Sequence, residues 1–98
     1  MSNSETAIAT EIKVRQPSLW KVMLHNDDYT PMDFVVRVLV DIFGKSEFEA
    51  FDIMMTVHEA GHANVMVTTK EIATTKAKKA TQTAASYQFP LLATAEEA

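Results

Sequence analysis

The chain has 98 residues, no cysteine and a formal net charge of −4. That length supports one domain with a modest two-layer core; the missing cysteines exclude disulfides, thiol chemistry and sulfur-ligated metals, and the acidic balance argues against nucleic-acid binding, which needs clustered positive charge. No apolar run approaches the roughly 20 residues that cross a bilayer, and the N-terminus lacks the basic-then-apolar order of a secretory signal, so a cytoplasmic protein without membrane attachment is expected.

From Met1 to Pro17 the sequence is Ser, Thr, Glu and Ala with isolated apolar residues and no sustained period, which reads as a flexible tail ahead of a domain over residues 18–98. Trp20, Val22 and Leu24 then alternate with Lys21, Met23 and His25, the period of a half-buried strand. The strand runs into a polar knot, His25-Asn26-Asp27-Asp28-Tyr29-Thr30-Pro31-Met32. Its Asn and Asp side chains favour a turn, Thr30 reads as an N-cap, Pro31 as the first helical residue and Asp33 as the third, near the positive end of the helix dipole. Met32, Val35, Val36, Leu39, Ile42 and Phe43 fall at helical spacing up to Gly44, the expected C-terminal cap. A second helix opens on Ser46 with Glu47 and Glu49 in its first turn, buries Phe48, Phe51, Met54, Met55 and His58, and stops at Gly61, making an αα-hairpin. Ala63 to Thr68 alternates as a second strand with Val65 and Val67 on one side. A third helix over 70–86 carries Ile72, Ala73, Ala77, Ala80 and Ala84 on its buried face, small enough to sit close to a sheet. Phe89-Pro90 ends it, and Leu91-Leu92-Ala93-Thr94 forms a last strand. The order is β-α-α-β-α-β, an α+β fold with a small, mostly antiparallel three-stranded sheet packed against three helices.

The residues alone leave the polar knot sufficiently explained as a turn and a helix start. His58-Glu59-Ala60-Gly61-His62 matches the H-E-x-x-H pattern of zinc hydrolases, but Gly61 as a helix terminator would swing His62 off the face of His58. His58, at the end of an apolar stripe, reads as a half-buried histidine satisfied locally. Lys76, Lys78 and Lys79 read as a solvated face, and Met32, Met54 and Met55 as core filler or as a surface that adapts to several side chains.

Taken together, Asn26-Asp27-Asp28-Tyr29-Thr30-Pro31-Met32-Asp33-Phe34-Val35 after a strand, a helix ending Met54-Met55-Thr56-Val57-His58, the segment Thr69 to Lys76 and Pro90-Leu91-Leu92 closely resemble the ClpS adaptor family over about Trp20 to Ala95. The resemblance implies a non-enzymatic, monomeric adaptor without cofactor, working in the cytoplasm or in a plastid stroma. Such an adaptor binds N-degron proteins through an N-terminal Leu, Phe, Tyr or Trp and hands them to the N-terminal domain of a ClpA- or ClpC-type AAA+ unfoldase for degradation by ClpP. By the match, Asn26, Asp27 and His58 would hold the substrate's α-amine. Met32, Val35, Met54, Val57 and Leu91 would line the side-chain pocket, with Met32 as gatekeeper, and Asp28 and Thr30 would support the turn. Glu71 and Lys76 would face the unfoldase. His25 departs from the family's usual aliphatic residue, and Glu59 to His62 from a segment commonly aromatic, polar or basic. A plain interaction domain of the same fold, which the C-terminal domain of the ribosomal stalk protein resembles, and a small zinc hydrolase are the alternatives.

Overall fold

A computed structural model describes residues 17–98; the tail expected over residues 1–17 lies, apart from Pro17, outside them. In chain order these residues form β1 (Trp20–His25), α1 (Met32–Asp41), α2 (Glu47–Ala60), β2 (His62–Thr68), α3 (Lys70–Ser86) and β3 (Leu92–Glu97). This is the expected order, and the sheet is antiparallel throughout with β1 central, β2-β1-β3. Val22 and Leu24 of β1 are wholly buried, as a central strand covered on one face requires.

Helix α3 covers the sheet. Ala73, Ala77, Ala80 and Ala84 are all buried, and the hydroxyl of Thr81 accepts the Ala93 N–H at 3.0 Å and donates to the Ala93 carbonyl at 3.2 Å, clamping α3 to β3. Ile72, expected on that face, is 45% exposed; it precedes the first buried alanine by one residue and so sits about 100° around the helix. The α1–α2 hairpin packs against itself and, through α2, against β2. Phe34, near the start of α1, meets Tyr87 and Phe89 edge-on at 5.3 and 4.9 Å between ring centroids, tying the hairpin to the end of α3.

Several local expectations are corrected. Thr30 does not cap α1: its N–H and hydroxyl both go to Asp27, and a residue before proline is pushed out of the α region. The cap position falls to Pro31, whose carbonyl accepts from Phe34 and Val35 N–H. Helix α1 ends at Asp41, before Gly44; that glycine, at φ 68°, reverses the chain three residues later and lets the Lys45 N–H reach the Leu39 carbonyl at 3.1 Å. In α2 the Ser46 cap is present as a reciprocal capping box with Glu49, but the buried stripe is Ala50, Met54 and Val57, while Phe48 and Phe51 are 79% and 54% exposed. Aromatic residues drew the expected stripe toward the exposed side of the helix, where His58, expected to be half-buried, also lies; the fully buried residue of the stripe is the small Ala50. In β2 an irregularity in register, opposite Val22 and Met23, leaves Val65 as an extra residue. Such a bulge shifts the alternation, so Val65 is buried and Val67 is 51% exposed. The last strand starts at Leu92 rather than Leu91 and runs to Glu97.

Candidate functional site

Strand pairing brings the polar knot and the end of α2 together. His25 pairs with His62 at the end of the β1–β2 ladder, the Asn26 N–H donates to the Gly61 carbonyl at 2.9 Å, and Gly61 closes α2 in the left-handed region at φ 92°. The last turn of α2, which carries His58, is thereby held against the knot. The same geometry separates the two histidines of the H-E-x-x-H run: His58 is in α2 and His62 begins β2, so they do not share the helical face a zinc site of that type needs.

The knot is organised by Asp27. Its Oδ1 accepts the N–H groups of Tyr29 at 2.8 Å and Thr30 at 2.7 Å, and its Oδ2 accepts the Thr30 hydroxyl at 2.8 Å. Burial works against the charge on Asp27, but the hydrogen bonds from Thr30 and Tyr29 together outweigh it and hold the carboxyl below its ordinary value. A carboxylate has about four acceptor positions; three are used by the turn, and one on Oδ2 remains. Asp27 is therefore a turn-former that still presents negative charge.

Between the knot and the two helices lies a cavity of about 410 Å³. Asn26, Asp27, Asp28, Tyr29 and Thr30 form one side, Pro31, Met32 and Val35 lead into α1, and Met54, Val57 and His58 come from α2. Val35, Met54 and Val57 are almost fully buried and supply an apolar floor, while Met32 is 43% exposed at the edge. The result is a hole with acceptors and a carboxylate on one rim and methylene, thioether and branched aliphatic surface below. Chemically it suits a ligand that is cationic at one end and apolar at the other.

A family model described as ATP-dependent Clp protease adaptor protein ClpS matches residues 15–94. The chain belongs to the ClpS family. It is 46% identical to ATP-dependent Clp protease adapter protein ClpS 2 of Rhizobium meliloti (strain 1021), over 98% of this chain and 97% of that one. It is 48% identical to the ClpS adapter of Roseobacter denitrificans, over 91% and 79% respectively. Among solved structures, that of Agrobacterium tumefaciens ClpS2 bound to L-phenylalaninamide superposes with a TM-score of 0.83 at 48% identity, over 85% of this chain and all of that one.

Against the ClpS resemblance, the structure brings Asn26, Asp27, His58, Met32, Val35, Met54 and Val57 around one cavity, with Asp28 and Thr30. Leu91 is the exception. It is 2% exposed and belongs to the core cluster that contains Val35, Met54 and Val57, but it is not on the cavity wall. Tyr29 and Pro31 line the cavity without having been singled out; their place inside the knot was the available signal. Glu71 is exposed near the start of α3, whereas Lys76 is half-buried and its ammonium donates to the Ile42 carbonyl at 2.8 Å. That contact sets a positive charge at the C-terminal end of α1, where the helix dipole favours it. His25, the departure on β1, has its Nε2 2.8 Å from the Thr94 hydroxyl and so ties β1 to β3. Among the described residues no helix is long and apolar enough to cross a membrane.

Proposed function

We propose that the cavity binds the N-terminal residue of a polypeptide when that residue is Leu, Phe, Tyr or Trp, and that the chain acts as a non-enzymatic adaptor delivering such N-degron substrates to the N-terminal domain of a ClpA- or ClpC-type unfoldase coupled to ClpP. The observation that carries this reading is the pairing of an acceptor-rich rim at Asn26, Asp27 and His58 with an apolar floor at Val35, Met54 and Val57 in a single cavity. L-phenylalaninamide, held by the Agrobacterium relative, has that same pairing of a free amine and a large apolar side chain, and its amide stands in for a following peptide bond.

The physical chemistry is consistent in size. A protonated α-amine, pKa about 7.7 to 8, offers three donors. Asn26 Oδ1, the remaining Oδ2 acceptor of Asp27 and a lone-pair nitrogen of His58 would receive them, directly or through water. Each hydrogen bond to a charged group contributes about 1.5 to 3 kcal/mol, and burying one large apolar side chain about 1.5 to 3 kcal/mol. At the upper end of these ranges, and less an association cost of about 4 kcal/mol, the sum reaches micromolar-range binding.

Fluorescence titration across peptides differing only in their first residue tests the reading. Leu, Phe, Tyr and Trp should bind well above Met, and acetylating the amine should remove most of the affinity. Equal binding of free and acetylated Leu peptides would refute the amine site and favour a plain interaction domain.

A further inference from the structure

On the other side of Met32 from the cavity, a second and more open groove of about 620 Å³ runs between α1 and α2. It shares Met32 and Met54 with the cavity and adds Val36 and Phe51, with Asp33 and Glu47 also on its lining. Large apolar side chains are exposed here in a group: Met32 at 43%, Phe51 at 54% and, one turn before Phe51 on the same helix, Phe48 at 79%. A contiguous apolar patch of this kind on a small domain marks a surface that something covers.

The position of the groove says what. Phe51, Met54 and His58 stand at spacings of three and four residues along α2, so they share one helical face that leads from the groove to the amine end of the cavity. Phe51 precedes His58 by two turns, about 10 Å at 1.5 Å per residue. An extended polypeptide covers that distance in about three residues. A chain whose first residue is anchored beside His58 and which follows this face toward the start of α2 therefore brings its third and fourth residues over Met32 and Phe51.

We propose that this groove is a second subsite for the same bound polypeptide, taking a large apolar side chain at its third or fourth residue, so that substrates are selected by two apolar residues and not by the first alone. The proposal rests on the reading of the cavity as the site for the N-terminal residue. Its occupant is the substrate because the groove adjoins that cavity, the two sharing Met32 and Met54 as wall residues.

Fluorescence anisotropy with labelled peptides that begin with Leu, followed by alanines except for Ala, Ser, Leu or Phe at the third or the fourth position, tests it. With the wild-type chain, Leu or Phe at one of these positions should tighten binding roughly fivefold to tenfold over Ala, since the groove is open and covers only part of the side chain. In Phe51→Ala that gain should disappear while the all-alanine peptide binds as before, and Phe48→Ala should reduce the gain in part. Exposed helix positions make both substitutions compatible with folding. Wild-type binding that is indifferent to the third and fourth residues but still prefers Leu over Met at the first would overturn the subsite and leave the cavity reading intact. A gain that persists undiminished in Phe51→Ala would overturn the groove as its seat. Absence of any first-residue preference would overturn both. Self-association of the wild type in sedimentation equilibrium that Phe51→Ala abolishes, without any dependence on the third or fourth residue, would assign the groove to a second copy of the chain instead.

Discussion

Met32 and Asp27 show how single residues carry two roles here. As an apolar residue at helical spacing Met32 reads as core, yet it is 43% exposed at the cavity edge, where a flexible, unbranched side chain can close on a ligand. Transfer energy alone would welcome Ile and Val as readily as Leu, so exclusion of β-branched residues would have to be steric. Met32→Ala should therefore admit N-terminal Ile and Val, and isothermal titration finding an unchanged preference for Leu over Ile would remove Met32 from that role. Asp27 holds the knot through three hydrogen bonds, and its pKa is lowered. A carboxylate whose folded pKa is depressed contributes stability that is present above its unfolded value, about 3.9, and lost as pH falls through the folded value. The melting temperature of the wild type should accordingly exceed that of Asp27→Asn by a constant margin above about pH 5, and the margin should shrink below about pH 4. A margin that does not change across that range in circular-dichroism melts would mean that the Asp27 charge does not stabilise the turn.

At the scale of elements, the α2–β2 corner decides whether the site exists. Its glycine adopts φ 92°, with nothing within 4 Å of where a Cβ would stand, so Gly61→Ala meets a backbone penalty and no clash. The expected cost is about 1 to 2 kcal/mol in urea denaturation, with peptide affinity falling too, because the Gly61 carbonyl receives the Asn26 N–H. An unchanged midpoint would show that the corner relaxes without disturbing the knot. Helix α2 begins as firmly as it ends: the Ser46–Glu49 capping box satisfies both residues' N–H groups. The aromatic residues between these ends were legible as apolar but not as exposed. Only the tertiary packing, which buries Ala50, Met54 and Val57, reveals which face of the helix is inside.

For the molecule as a whole, the α1–α2 hairpin lines the cavity with the knot, while α3 supports the sheet from its covered face and contributes no side chain to the cavity. Ala80 is fully buried in that support. Ala80→Leu should overpack it and lower stability by about 1 to 3 kcal/mol while leaving the order of first-residue preference intact; a changed order would show that the support reaches the cavity. Most of the architecture was legible in the order of residues, because strand alternation, the Ser46 and Gly61 signals and the alanine stripe of α3 are local, and local stereochemistry acts before any packing does. The polar knot was legible as a turn for the same reason. What pairing and packing alone decided is non-local. They set the bulge that turns Val67 outward, retain Leu91 in the core and not on the cavity wall, tie the Lys76 ammonium to the Ile42 carbonyl, and leave Phe48 and Phe51 in solvent. Each of these depends on which surfaces meet, and no spacing along the chain encodes how closely two elements approach.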